Sequence, residues 1–225
     1  MTERRVGVLG GMFDPIHLGH EAAVTAVQQA LSLDQVILVP SRQPPHRPAQ
    51  PLASAADRVA MAEIVARTHH SWTVSDTETR RDGPSYTFDT LAEIADRGLT
   101  PVATFFIIGS DAFAEIAMWS RYPAVLDLAH FVVVARSGTT LESLRKQLPD
   151  LAGRMRSAGH FVPGSRLPTP DSRGASTSIL LIETVTPDVS STEIRRRVRA
   201  GEHITGLVAA GVESYIMTRR LYVGR

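Results

Sequence analysis

Cysteine is absent from this 225-residue chain. Disulfides, thiolate metal sites and cysteine nucleophiles are thereby excluded. Long apolar runs are missing too: no stretch approaches the roughly 18 apolar residues of a spanning helix. The amino-terminal MTERRVGVLGG starts charged, but its apolar run is only four residues, too short for a secretory signal. Both absences fit a cytoplasmic protein. Neither sign of charge is in excess. With 24 basic and 23 acidic residues the net charge is +1, so there is no broad field for nucleic acid or a membrane. No nucleic-acid or membrane partner is expected, and an anionic ligand must be held by a local site. A homo-oligomer is compatible with the composition.

What is present suits one globular domain over 1–225 with a substantial core. A short buried strand at 6–9 precedes GGMFDPIHLGH. The spacing of Ala23, Val27, Ala30 and Leu31 predicts a helix over Leu18–Ser32. QVILVP reads as a second strand, SRQPPHRPAQP as a proline-rich loop, and Ser54 with Asp57 as the start of a capped helix. WTVSD, ATFFII, HFVVVAR and ILLIETV read as strands. SYTFDTLAEIADRG, with Gly98 as its stop, and the short YPAVLDLA read as helices. The stretch 137–178 reads as a long surface excursion, although TLESLRKQL within it is helical in pattern. A helical part at 187–225 contains SSTEIRRRVRAG and a final helix, GLVAAGVESYIMTRRLY. Alternating strands and helices imply an α/β fold, a Rossmann-like doubly wound parallel sheet with a small C-terminal helical region. In such sheets ligands bind beyond the carboxyl ends of the strands.

The segment after the first strand, Gly10 to His20, concentrates the unusual residues. Gly10 and Gly11 let a ligand approach the backbone, Pro15 stiffens the turn, and Gly19 removes bulk between His17 and His20. The start of the following helix directs free N–H groups and a partial positive charge at an anion. Familiar phosphate and metal signatures fail. No Gly-Lys-Ser/Thr ending marks a Walker loop, Leu9 breaks the dinucleotide fingerprint after Gly7, and H-E-x-x-H is absent. A metal on the histidine pair or a plain helix cap are the competing readings. SSTEIRRRV, from Ser190, offers hydroxyls at a helix start followed by Arg195, either a second anion cradle or an N-cap with a basic face. Two cradles suit a polyphosphate.

GGMFDPIHLGH and VSSTEIR resemble the H-x-G-H and I-S-S-T-x-x-R signatures of the nucleotidylyltransferase superfamily. With VPSRQPPHR, DGPSYTFDTL and GSDAF before Trp119, the chain resembles bacterial nicotinate mononucleotide adenylyltransferases from Gly10 to Tyr222, apart from the excursion. The resemblance implies joining of ATP to nicotinate mononucleotide, giving nicotinate adenine dinucleotide and pyrophosphate without a covalent enzyme intermediate. It implies that His17 and His20, with Arg195, carry the catalytic contacts to the ATP phosphates. Gly10, Gly11, Met12 and Phe13 would line the nucleotide cleft by their backbone. Ser190, Ser191, Thr192 and Arg195 would hold the β- and γ-phosphates, and His46 and Arg47 would close over phosphates, with arginine where many relatives have lysine.

For the second substrate, the resemblance implies that Trp119 stacks on the cationic pyridine ring. Tyr86 and Thr87 would meet the nicotinate carboxylate largely through backbone N–H groups. Asp111 would accept from ribose hydroxyls, Ser41 would face the mononucleotide, and Arg136 would pair with its phosphate. Bland alternatives stand beside these: a core tryptophan, an N-cap at Tyr86, a surface arginine at 136. Magnesium is expected to arrive with ATP, with no protein metal site. Val189 replaces the usual isoleucine, Ala209 stands where many relatives have proline, and the excursion is longer than usual. The competing functions are a nicotinamide mononucleotide or phosphopantetheine transferase, a nonenzymatic nucleotide-binding regulator, and a metal hydrolase. Trp119 and DGPSYTFDT argue against phosphopantetheine, which has no flat cation to stack.

Overall fold

A computed structural model of the chain describes residues 3–43, 50–135, 140–160 and 176–224. Its strands are β1 (Val6–Gly11), β2 (Gln35–Pro40), β3 (Trp72–Val74), β4 (Thr104–Gly109), β5 (His130–Ala135), β6 (Met155–His160) and β7 (Ile179–Glu183). Its α-helices are α1 (Leu18–Leu31), α2 (Ala55–Ala66), α3 (Thr77–Arg80), α4 (Thr87–Asp96), α5 (Ser110–Ala114), α6 (Leu141–Gln147), α7 (Ser191–Arg199) and α8 (Ala210–Thr218). The strands form one seven-stranded sheet in the order β3-β2-β1-β4-β5-β7-β6. β1–β4, β4–β5, β5–β7 and β7–β6 all pair in parallel. The expected doubly wound α/β class is therefore the observed one, with the strand order reversing between β1 and β4. Among the described residues no helix is long and apolar enough to cross a membrane.

Two compact units divide the chain. Unit 1 comprises 1–10, 23–36 and 86–185. Its core is built on Phe105–Ile108, Phe131–Val134 and Ile179–Ile182, all buried. Such near-continuous burial means both faces of these strands are covered, as parallel pairing requires. Val24, Val27, Ala30 and Leu31 supply the buried stripe of α1. Unit 2 comprises 11–22, 37–85 and 186–225. Its core gathers Phe13, Ile16, Leu38, Met61, Val65, Ile194, Val212 and Ile216. There Gly211 of α8 lets the helix lie close on α2, since a Cβ would meet Ile64 at 2.7 Å. The cap predicted for α2 is formed: Ser54 Oγ accepts from the Asp57 N–H at 3.1 Å.

Two expectations are corrected. The excursion at 137–178 is not wholly loop, because β6 joins the sheet beside β7 with Met155 and Ala158 buried. MRSAGH lacks β-branched and aromatic residues, so its strand character comes from pairing rather than propensity. Its register shifts between Ser157 and Gly159, where Gly159 adopts a φ of +96°, a left-handed conformation that glycine takes without steric cost. The final helix is shorter than GLVAAGVESYIMTRRLY: α8 begins at Ala210 and ends at Thr218, and Arg220 and Tyr222 take left-handed φ values of +52° and +66°. The short helices α3 and α5 carried no recognisable periodicity in the sequence.

Candidate active site

In unit 2, β1 delivers the chain to a tight turn at Met12–Pro15, where Phe13 is buried at a φ of +48°. α1 then starts directly after His17. The carbonyl of His17 accepts from the N–H groups of His20 and Glu21 at 2.9 and 3.2 Å, closing the first turn. This places the two rings face to face, with centroids 3.7 Å apart and planes 31° from parallel. The His17 backbone N–H points at His20 Nδ1 at 3.3 Å. A neutral His20 in this geometry keeps its proton on Nε2, on the far side of the ring. Phe13 meets the His20 ring edge-on at 5.3 Å. His17 itself is 6% exposed. A Cβ on Gly19 would sit 3.0 Å from His17 Nδ1 and 3.4 Å from the Pro187 carbonyl. Glycine here is clearance for the His17 ring, as its position between the histidines suggested. The acid nearest in sequence, Glu21, is engaged by His69 at 2.9 Å, whose ring stacks on Trp72 at 3.8 Å.

The second motif comes to the first. Ser190 is the N-cap of α7, its Oγ accepting from Glu193 N–H at 3.2 Å. Ser191 Oγ donates to the Pro15 carbonyl at 2.9 Å, and Arg195 Nη1 donates to the Asp14 carbonyl at 2.7 Å. Arg195 Nη2 also reaches Thr192 Oγ1 at 3.2 Å. The N-cap reading of SSTEIR is therefore met at Ser190, while Ser191 and Arg195 tie the start of α7 to the histidine loop. Two of the other α7 arginines are tied up locally. Arg196 binds Glu193 and Glu202, and Arg197 binds Glu193. Hydrogen bonds from Arg196 and then Arg197 pull the Glu193 carboxyl down to about 2. Arg195 instead reaches the histidine loop, through the Asp14 carbonyl.

Ser41, at the carboxyl end of β2, is buried, and its N–H donates to the Gly11 carbonyl at 2.8 Å. His46 and Arg47 lie outside the described residues, as does Arg136.

Unit 1 carries the other residues expected to bind substrate. Tyr86 and Thr87 are half-buried at the start of α4, where Tyr86 is the N-cap residue but makes no side-chain cap bond. The Arg121 guanidinium lies 4.6 Å from the Phe88 ring centroid, which brings the first turn of α4 beside the segment that follows Trp119. Trp119 is half-buried and meets Phe106 edge-on at 6.3 Å. Trp72, by contrast, is a core residue at 5% exposure. Asp111 is exposed in the first turn of α5, just past β4.

A family model described as cytidylyltransferase-like matches residues 8–197. A protein of Acidothermus cellulolyticus described as a probable nicotinate-nucleotide adenylyltransferase is 39% identical over 228 residues, covering 99% of this chain and 97% of its own. The chain belongs to the nicotinate-nucleotide adenylyltransferase family. A second relative of that name, from Desulfatibacillum aliphaticivorans, is 38% identical over 97% of this chain and 100% of its own. The solved Plasmodium falciparum nicotinic acid mononucleotide adenylyltransferase complexed with NaAD shares the fold, with a TM-score of 0.70 over 98% of each chain at 18% identity.

Seen as an adenylyltransferase-family site, the loop holds two surprises. Gly11 does not simply open the backbone to a ligand. A Cβ there would lie 2.7 Å from the Phe13 ring, so the glycine makes room for the chain's own turn. At Gly10 a Cβ would make ordinary contact with Phe106 at 3.5 Å. The other surprise is Arg58 of α2, the largest fully buried side chain among the described residues. Sequence reading passed over it, yet the signal was legible: Arg58 shares the buried stripe of Met61, Ala62 and Val65. A charge on an apolar stripe is almost never fully buried unless paired.

Proposed function

We propose that the chain transfers the adenylyl group of ATP to nicotinate mononucleotide, releasing pyrophosphate. A mononucleotide phosphate oxygen attacks the α-phosphorus in line. The new P–O bond forms as the bond from the α-phosphorus to the bridging oxygen of the β-phosphate breaks, and that electron pair leaves with pyrophosphate. A phosphate monoester is already a nucleophile near neutral pH, so the protein's work is positioning and charge stabilisation. The observation that carries this reading is the meeting of both motifs on one loop, through Ser191 on Pro15 and Arg195 on Asp14.

In this reading His17 and His20 donate to the ATP phosphates and to charge developing at the α-phosphorus. Ser190, Ser191, Thr192 and Arg195 hold the β- and γ-phosphates, and His46 and Arg47 close over them. The backbone of Gly10–Phe13 lines the nucleotide. In unit 1, Trp119 stacks on the pyridine ring and the first N–H groups of α4, at Tyr86 and Thr87, receive its carboxylate. Asp111 accepts from ribose, while Ser41 and Arg136 serve the mononucleotide. Magnesium comes as MgATP. The one carboxylate on the loop, Asp14, is already engaged by two backbone N–H groups and a tyrosine hydroxyl, which suits a metal carried by the nucleotide. The reading places the chain in the cytoplasm, where MgATP is supplied. Light scattering reports whether it works as a homo-oligomer.

Pyrophosphate release is the test, with MgATP and each acceptor in turn. Nicotinate mononucleotide is expected to be the preferred acceptor. Turnover with nicotinamide mononucleotide far above the acid form would overturn the assignment of substrate. Nucleotide binding without turnover on any acceptor would favour a regulator.

A further inference from the structure

Arg58, Asp14 and Tyr222 form a buried polar group that none of the steps above uses. Arg58 is 1% exposed and Asp14 2%. Burying such charges is unfavourable unless every polar atom is answered. Arg58 Nε has no hydrogen-bond partner among the described residues, and the bonds that are made come from the histidine loop and its neighbours in unit 2. Arg58 Nη1 donates to the carbonyls of Met12 and Ser41, and Nη2 reaches the Arg42 carbonyl at 3.5 Å. The Asp14 carboxylate accepts from Leu52 N–H at 2.8 Å, Ala53 N–H at 3.0 Å and the Tyr222 hydroxyl at 2.9 Å. Burial, and then the Asp14 charge, raise the Tyr222 hydroxyl above its ordinary range, so it remains a donor.

These anchors flank one residue. Met12 and Asp14 are fixed, and Phe13 between them holds its left-handed φ of +48°. A bulky non-glycine residue there is strained and persists only where its surroundings over-determine it. The Phe13 ring in turn abuts His20. We propose that Arg58 and Tyr222 are positioning residues for adenylyl transfer: through Met12 and Asp14 they hold the Phe13 turn, and the Phe13 ring sets the His20 ring. Tyr222, near the end of the chain, thereby acts on a histidine some 200 residues earlier. The inference rests on the adenylyltransferase reading of the histidine pair.

The test compares Tyr222→Phe, Arg58→Lys and, as control, Tyr215→Phe. Tyr215 lies in the same carboxyl-terminal segment but donates to Asp57 at 2.9 Å rather than to Asp14. Each folded protein is assayed for kcat and KM for ATP, and the side-chain ¹⁵N shifts of His20 are recorded without substrate. Misplacement by about 1 Å can reduce rate by about 100-fold. Tyr222→Phe removes one anchor and is expected to lower kcat about tenfold, with KM for ATP within about twofold. Arg58→Lys keeps the charge but loses the two-carbonyl span, and is expected to lower kcat about 100-fold. Both move the His20 shifts; Tyr215→Phe moves neither readout. A folded Tyr222→Phe with wild-type kcat and His20 shifts overturns the proposal. So does a Tyr215→Phe loss of equal size. Should Tyr222→Phe fail to fold, Arg58→Lys decides by the same criteria. Should the wild type not turn over, the functional reading fails, and the His20 shifts still decide the brace.

Discussion

Gly19→Ala adds one methyl group at the narrowest point beside His17. The new Cβ would lie 3.0 Å from His17 Nδ1, 3.1 Å from Cε1 and 3.4 Å from the Pro187 carbonyl. The carbonyl contact is tolerable, but the ring must yield by about 0.4 Å to reach ordinary van der Waals separation. Taking rate to fall about 100-fold per ångström of misplacement, and scaling logarithmically, kcat should drop about sixfold. Stability should move the other way. Gly19 has no left-handed φ, and alanine is favoured over glycine in a helix by up to about 1 kcal/mol, less in the first turn. Pyrophosphate release and thermal unfolding, measured on the same preparation, should therefore show a slower enzyme that melts no earlier than wild type. Wild-type kcat in Gly19→Ala would refute the claim that His17 is placed to within a few tenths of an ångström. A lower Tm with proportionate activity loss would mean that glycine serves packing instead.

Three further outcomes follow from particular contacts. His130 is buried, and burial pushes its pKa down to about 4. Its neutral form is favoured in the fold, so its contribution is full above the unfolded value of about 6.5 and is lost as pH falls from there toward 4, by at most about 3 kcal/mol. Denaturant titrations from pH 7.5 to 4.5 should show that slope, and His130→Gln should flatten it. Arg196→Ala removes an exposed guanidinium from Glu193 and Glu202; Tm should change by less than about 2 °C, with kcat intact. Trp119→Ala should raise KM for the mononucleotide about tenfold while leaving KM for ATP near wild type, with Trp119→Phe intermediate.

Much of this molecule is legible in its sequence because its strong signals are local. Gly19 between two histidines is meaningful only if a ring needs that space. Ser190 three residues before Glu193 is a cap wherever the helix starts. The central strands of unit 1 read plainly because burial on both faces demands unbroken apolar runs. What escaped depends on distant partners. β6 is a strand because β7 lies beside it. Tyr222 looked like the end of a helix because nothing local announces its bond to Asp14. Gly11 was read as an opening for ligand because the Phe13 ring that fills the space folds back only after the turn is made. Backbone donors such as those at the start of α4 have no side-chain signature at all, so acid and amide acceptors are not told apart by residue identity.

In the proposed reaction, two histidines on a loop braced by α7 stabilise adenylyl transfer. Pyrophosphate release from MgATP and nicotinate mononucleotide, by wild type beside His17→Ala and His20→Ala, tests it most directly. Steady turnover by the wild type and losses of at least about 100-fold in each variant are expected, the scale for deleting a donor to the transition state. Folded variants that retain near-wild-type turnover would contradict it.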